Sequence, residues 1–296
     1  MKQAMILAAG LGTRLRPYTE VRPKPLFPVA GRSLLAITLE RLRQAGFDSV
    51  VVNAHHLREQ VTAALADDVK KGVIVQEEEI ILGTGGGLRR AMPHFGSDPL
   101  LVTNGDIYHT IDLAQVYRTH RESGAAVTLV LHHEPRFNKV AVGSDGSVLG
   151  FGPEVDTDLP RLAFTGIHVI DPAILAEIPP DSFFDIIDCY RNLIRDGGDV
   201  RAMIVDNHFW TDMGTPADYL ALHADLLNGN VPGVKVPQAP FCISPSAVVG
   251  SDLRMQGWAV VGDKARIGDR VSLERVVVWD GATVPSGSTL SDMIVI

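Results

Sequence analysis

The sequence predicts an α/β protein in which a doubly wound, mostly parallel sheet is followed by a short left-handed parallel β-helix. Three observations carry this reading. Short apolar runs alternate with amphipathic stretches, a glycine turn follows the first apolar run directly, and beyond residue 240 Val-Gly and Ile-Gly pairs recur on a six-residue beat. Strands alternating with helical patterns imply parallel β-α-β units. A hexapeptide beat without helical periodicity implies the coils of a parallel β-helix.

The first strands are expected at 3–8, 49–53, 72–76 and 99–103, with amphipathic helices at 32–46, 56–66 and 85–92. Further strands are expected near 125–132, 139–142, 163–170 and 201–210, and helices near 183–195 and 215–228. Ligands of such sheets sit beyond the carboxyl ends of the strands, so the glycine turn after the first strand and Asn104-Gly105-Asp106 after the fourth share that edge. Residues 231–240, VPGVKVPQAP, read as a linker between a first domain, 1–230, and a tail, 241–296. In the tail Val249-Gly250, Val261-Gly262 and Ile267-Gly268 stand twelve and six residues apart, and Val271, Val277 and Val284 continue the beat. About three coils fit, a small antiparallel sheet being the alternative. The tail has no histidine for acyltransferase chemistry and reads as an oligomerisation or regulatory module.

Composition narrows the function. The chain has 296 residues, 46% of them hydrophobic, and a net charge of −8 from 27 basic and 35 acidic side chains. That leaves no electrostatic footprint for nucleic acid. No apolar run approaches the roughly 20 residues of a membrane span, and the N-terminus lacks a signal-peptide layout. Cys189 and Cys242 read as reduced thiols, and the cytoplasm is the expected compartment.

Residues 8–26, AAGLGTRLRPYTEVRPKPL, hold the most chemistry. Pro17, Pro23, Pro25 and Pro28 stop any long helix, leaving an extended ordered loop. Gly10 and Gly12 let backbone N–H groups approach phosphate oxygens, and Arg14, Arg16, Arg22 and Lys24 supply matching charge. The loop is therefore expected to hold a polyphosphate. It is no dinucleotide fingerprint, because Leu15 replaces the third glycine and Pro17 stands where the helix should run; this argues against an NAD-dependent dehydrogenase. The alternative is a glycine turn leading into a solvated surface loop, but long loops inside compact domains are usually functional.

A bound polyphosphate brings Mg²⁺, which takes one or two carboxylates plus phosphate oxygens. Asp106 is the first candidate; Asn-Gly before it is also a hairpin signal, but the apolar run PLLVTN favours a strand end. Asp212 is the second, in FWTDMGTP just before a helix with Thr215 as N-cap, Pro216 at its first position and Asp218 completing the cap. Alone it reads as a loop aspartate making local hydrogen bonds.

The segments GxGTRLRP, PKPL, LGTGG, NGD and WxDxGT occur in that order across residues 8–216, and in this the chain resembles the sugar-1-phosphate nucleotidyltransferases. The resemblance covers the whole first domain, and short β-helix tails occur in several branches. LGTGGGL, FTGIHVI and WTDMGTP resemble the N-acetylmuramate-1-phosphate uridylyltransferases first and the heptose- and mannose-1-phosphate guanylyltransferases next. The resemblance implies the nucleotide-diphospho-sugar transferase type of fold for residues 1–230. It implies an in-line attack by a sugar-1-phosphate on the α-phosphorus of a nucleoside triphosphate, with Mg²⁺ as cofactor, a uridine or guanosine base and a homo-oligomeric assembly.

The same resemblance implies roles. Gly10, Gly12 and Thr13 would cradle the triphosphate, Arg14 would grip the departing phosphates, and Lys24 would bridge the two reacting phosphates. Asp106 and Asp212 would hold Mg²⁺. Ala8 and Ala9 backbone groups would face the base, Gln76 or Glu78 would contact it, Gly83 and Thr84 would meet base or ribose, and Gly166 would line the sugar pocket. A catalytically silent subunit that binds nucleotide sugars is the alternative function; such relatives lose Arg, Lys or one aspartate, and all four are present here. The chain departs from the family at Gly152-Pro153-Glu154, where many relatives have Glu-Lys-Pro, and at Phe164, where hexosamine-handling relatives often carry Asn. His55-His56 read as surface or capping residues, His132-His133 as alternating along a strand, Glu77-Glu78-Glu79 as a solvated run, and Trp210 and Trp258 as core.

Overall fold

The computed structural model describes residues 1–153, 155 and 158–296 and divides the chain into two compact units. Glu154 of the Gly152-Pro153-Glu154 stretch lies outside the described residues. The first unit comprises Met1–Leu11, Thr38–Gly105 and Ile111–His208, and the second Gly12–Ile37, Asp106–Thr110 and Phe209–Ile296.

The first unit is built on a nine-stranded sheet. Its strands are β1 (Gln3–Leu7), β2 (Ser49–Ala54), β3 (Val73–Glu77), β4 (Leu100–Asn104), β5 (Val127–His132), β6 (Asn138–Val142), β7 (Val148–Phe151), β8 (Arg161–Ile170) and β9 (Val200–Ile204). The order β4-β1-β2-β3 is parallel throughout, with Ile6 opposite both Val52 and Thr103. From β8 onward the sheet is mixed, because β8 runs antiparallel to β4, β5 and β6. One strand serves three partners through a bulge: the register shifts between Phe164 and His168, where Gly166 has φ +78°.

The expected parallel arrangement thus holds for the first four strands and gives way to mixed pairing after them, with β8 antiparallel to its neighbours and β9 parallel to β5. The expected strand 201–210 is corrected. It is two strands, β9 and a short one at Trp210–Asp212, in different sheets. Asn207, with φ 55°, breaks the run between them. Helices at Leu34–Gln44 and Arg58–Ala64 fall inside the expected spans. So do α1 (Gly83–Ala91), apart from an earlier start, and α3 (Ile186–Arg195), whereas β7 and α2 (Leu113–Ser123) were not foreseen. Among the described residues no helix is long and apolar enough to cross a membrane.

Met5, Val51, Val102, Leu129 and Tyr190 form the centre of the first unit's core. His168 on β8 lies in the same interior, 5.7 Å ring to ring from Tyr190, and neither of its nitrogens has a hydrogen-bond partner among the described residues. Burial pushes its pKa down to about 3 from an ordinary 6.5. The unfolded chain therefore binds the extra proton first. The share of stability that depends on this histidine is complete above pH 6.5 and is lost progressively as the pH falls toward the folded pKa. Melting temperatures across pH 7.5 to 4.5 should decline accordingly, and His168→Phe should flatten that decline; an unchanged slope would contradict this account.

The second unit begins with residues 13–33, folded as a run of short pieces. These are a 3₁₀ turn at Thr13–Leu15, one helical turn at Tyr18–Val21, a 3₁₀ turn at Lys24–Leu26 and a two-residue ladder of Pro28–Val29 with Arg32–Ser33. A second ladder pairs Ile107–His109 with Trp210–Asp212. The helix α4 (Pro216–Leu227) follows, capped as expected: Thr215 Oγ1 accepts from Asp218 N–H at 3.1 Å.

The tail strands are β10 (Phe241–Ile243), β11 (Val248–Val249), β12 (Arg254–Val261), β13 (Arg266–Ile267), β14 (Ser272–Val278), β15 (Thr283–Val284) and β16 (Thr289–Val295). They form two wholly parallel sheets, β10-β12-β14-β16 and β11-β13-β15, which sets aside the antiparallel alternative. Phe241 pairs with Ala259 and Val248 with Arg266, an offset of about eighteen residues, or three hexapeptides. One interior lies within the tail, around Val261, Ile267 and Val276. Another joins Trp258, Val277, Trp279 and Ile294 to Leu15, Phe27 and Tyr219.

Candidate active site

Four charged side chains from three separate stretches meet in the second unit. The antiparallel ladder sets Asp212 opposite Ile107, and Met213 N–H donates to the Asp106 carbonyl at 3.2 Å, so the two aspartates become neighbours. Lys24 sits between them, its ammonium 2.8 Å from Asp106 Oδ2 and 3.2 Å from Asp212 Oδ1. Arg14 Nη2 approaches the other oxygen of Asp212 at 3.4 Å. The side chains of Lys24 and Asp212 are 7% and 16% exposed, those of Asp106 and Arg14 39% and 60%. The lysine is thus nearly enclosed while the arginine faces solvent.

Local sequence explains the placement. Gly12, at φ +61°, starts the 3₁₀ turn in a conformation that glycine enters without strain, and Thr19 Oγ1 donates to its carbonyl at 3.1 Å. The turn drops Leu15 into the core and leaves Thr13 and Arg14 exposed. Gly214 follows Asp212 closely, and a Cβ there would come within 2.8 Å of both Arg14 Nη1 and Asp212 Oδ2. The glycine of WTDMG therefore makes room for the arginine.

The remaining expected site residues lie in the first unit. Gly10 is exposed, with open space above its Cα. Ala8 N–H donates to Asn53 Oδ1 at 2.8 Å, and Asn53 Nδ2 donates to Glu78 Oε1 at 2.8 Å. Gln76 Nε2 donates to the same carboxylate oxygen at 3.2 Å and to the Gly87 carbonyl at 3.0 Å. Glu78 is 0% exposed and Gln76 6%, so both turn inward, whereas Glu77 and Glu79 are exposed. Asn53 was missed in the sequence. A polar residue closing the apolar run Val50-Val51-Val52 is the signal that marks it.

The glycines of α1 answer to their neighbours. Gly85 and Gly86 N–H donate to the Phe184 carbonyl at 2.9 and 3.2 Å, and a Cβ on Gly83 would lie 2.7 Å from that oxygen. Thr84 Oγ1 donates to Asp185 Oδ1 at 3.1 Å and accepts from Ile186 N–H at 2.9 Å. Gly166 is buried, and a Cβ there would come 2.7 Å from Asn104 Nδ2. His55 Nδ1 contacts the Glu78 carbonyl at 2.8 Å, His132 and His208 share a 3.0 Å hydrogen bond, and Trp258 is buried. Cys189 and Cys242 are free thiols.

Among the described residues no three His, Cys, Asp or Glu converge as a ready metal cage. The Asp106–Asp212 pair offers two carboxylates, enough for a hard divalent ion that completes its shell from water and phosphate.

Comparison with known proteins identifies the family and the fold. A family model described as nucleotidyl transferase matches residues 3–229. The chain is 31% identical to a mannose-1-phosphate guanylyltransferase of Mycobacterium tuberculosis, over 97% of this chain and 82% of that protein. It is 34% identical to an N-acetylmuramate alpha-1-phosphate uridylyltransferase of Neisseria meningitidis, over 72% of this chain and 93% of that one. In fold it resembles HddC from Yersinia pseudotuberculosis complexed with GMP-PN, with a TM-score of 0.62 and 23% identity over 75% of this chain and 98% of that one.

Proposed function

The chain belongs to the nucleotidyl transferase family, and on that premise we propose that it converts a nucleoside triphosphate and a sugar-1-phosphate to a nucleotide sugar and pyrophosphate, with Arg14, Lys24, Asp106 and Asp212 as its charged machinery. The observation that carries the proposal is the Lys24 ammonium held between two aspartates with Arg14 on the outer oxygen. A silent binding subunit would not need this constellation complete.

An oxygen of the sugar phosphate forms a bond to the α-phosphorus, the bond from that phosphorus to the bridging oxygen breaks, and pyrophosphate keeps the electron pair. The attacking phosphate has a second pKa near 6 and is largely ionised at neutral pH, so no general base is needed. The protein's task is positioning and charge. Lys24 would bridge the α-phosphate and the sugar phosphate. Arg14 would hold the β- and γ-phosphates and stabilise the charge they gain, with Gly10, Gly12 and Thr13 cradling them.

Family members use a divalent metal, and Mg²⁺ is our assignment here. The donor set fits, because two lysine and arginine charges only balance two carboxylates, and two polyanionic substrates need a further cation. Asp106 and Asp212 would hold it, and when bound it supplies charge neutralisation and polarisation of the phosphate oxygens. Ala8 and Ala9 would face the base, with Gln76 and Glu78 acting through Asn53, which fixes the Ala8 amide. Gly83 and Thr84 would present main-chain groups to base or ribose, and Gly166 would line the sugar pocket.

We assign residues 1–230 to catalysis, 231–240 to a linker and 241–296 to a short left-handed β-helix, in a cytoplasmic homo-oligomer. We propose uridine as the base, with guanosine as the competing arm of the test. Five triphosphates crossed with a panel of sugar-1-phosphates, scored by pyrophosphate release, should give one preferred pair containing uridine triphosphate. A guanosine preference would reassign the base, and no release from any pair would overturn the reaction.

A further inference from the structure

We propose that the tail braces the loop that carries Lys24, with Trp279 as the positioning residue. The inference rests on the reading of that loop as catalytic. Trp279 follows β14 directly and is 2% exposed. Its ring lies 4.7 Å from that of Phe27 and 6.0 Å from that of Tyr18, and the Arg22 guanidinium stands 4.8 Å above it. Its Nε1–H donates to Tyr219 Oη at 3.2 Å, and Tyr219 Oη donates to the Pro28 carbonyl. Asp280, the next residue, pairs with Arg22 at 3.0 Å.

Arg22 stands two residues before Lys24 and Phe27 three after it, so one indole grips the loop on both sides of the lysine. Residues 23–26 are poorly placed to hold themselves. They form a single 3₁₀ turn with a proline on either side of Lys24, and belong to no strand ladder. Yet the ammonium must stay within hydrogen-bond reach of two carboxylates, and a misplacement of about 1 Å in a positioned group can cost about 10²-fold in rate. The tail face that carries Trp258, Val277, Trp279 and Ile294 is already spent on α4 and this loop. That face is therefore an internal support of the site.

The test uses the full chain in three forms, Trp279→Ala, Trp279→Phe and Asp280→Asn. Each is measured by amide hydrogen exchange without ligand and by kcat and KM for pyrophosphate release. Trp279→Ala should raise exchange across residues 18–28 by at least about tenfold, and lower kcat by about tenfold to a hundredfold with a smaller change in KM. The amides of β12 and β14 should keep their protection. Trp279→Phe, which retains an aromatic edge for Phe27, should recover most of the loss. A folded Trp279→Ala with unchanged loop exchange and kcat overturns the proposal, and so does uniform loosening of the whole second unit, which would make Trp279 core alone. Should Trp279→Ala not fold, Asp280→Asn decides: it removes only the ion pair at the rim, and faster exchange at residues 20–24 supports the brace while unchanged exchange rejects it. Should the wild type release no pyrophosphate from any pair, the proposed reaction fails and the exchange pattern still judges the brace.

Discussion

Asp106→Asn should abolish pyrophosphate release, with kcat down by at least about 10³-fold, while the thermal melt stays close to that of the wild type. The substitution keeps the size and shape of the side chain and removes only its charge. Lys24 retains Asp212 as a partner at 3.2 Å, and the ladder of Ile107–His109 with Trp210–Asp212 is untouched. Asp106 is also 39% exposed, so the structural cost is small. What disappears is one of the two carboxylates available to a divalent ion, at the point where two anions must approach. Pyrophosphate release with Mg²⁺, measured beside a thermal melt, separates the effects. Full activity would remove Asp106 from the metal site.

Arg14→Ala should cost at least about 10²-fold in kcat, the usual effect of losing a positioned charge partner for the transition state. With its side chain 60% exposed, the arginine contributes little to folding, and stability should stay within about 0.5 kcal/mol. Gly214→Ala probes the same group together with its partner Asp212. Its Cβ would press on Arg14 Nη1 and on Asp212 Oδ2 alike, both ends of side chains, so this pair should shift while the fold stays intact. A partial loss of kcat in Gly214→Ala and a larger one in Arg14→Ala would agree with an Arg14–Asp212 pair that acts from one place. An unchanged rate in Arg14→Ala would reduce the loop to a structural role.

The motifs made the meeting of Arg14, Lys24, Asp106 and Asp212 legible, because the proposed phosphate chemistry calls for those charges and the glycines and prolines around them announce the loop. Other parts depended on partners that local sequence does not reveal. The glycines at 83–87 look like a ligand signature, yet Phe184 and Asn53 account for most of them by steric contact. Glu78 sits in a run of three glutamates, and only the Asn53 and Gln76 amides explain why it alone is buried. The strand expected at 201–210 spans two apolar runs, Ala202–Val205 and Phe209-Trp210, and Asn207 divides it between two sheets. Trp279 carried no signal of its own, since its role comes from aromatic and cationic groups hundreds of residues earlier in the chain.

The second unit also sets an order of events during synthesis. Lys24 leaves the ribosome early, and the carboxylate of Asp212 follows 188 residues later. At roughly 5–20 residues per second, that is a wait of about ten to forty seconds. Until then the cationic segment has no finished seat, and the entropy of closing so long a stretch of chain favours late assembly. The newborn polypeptide therefore gains its nucleotide chemistry only after Asp212 has emerged.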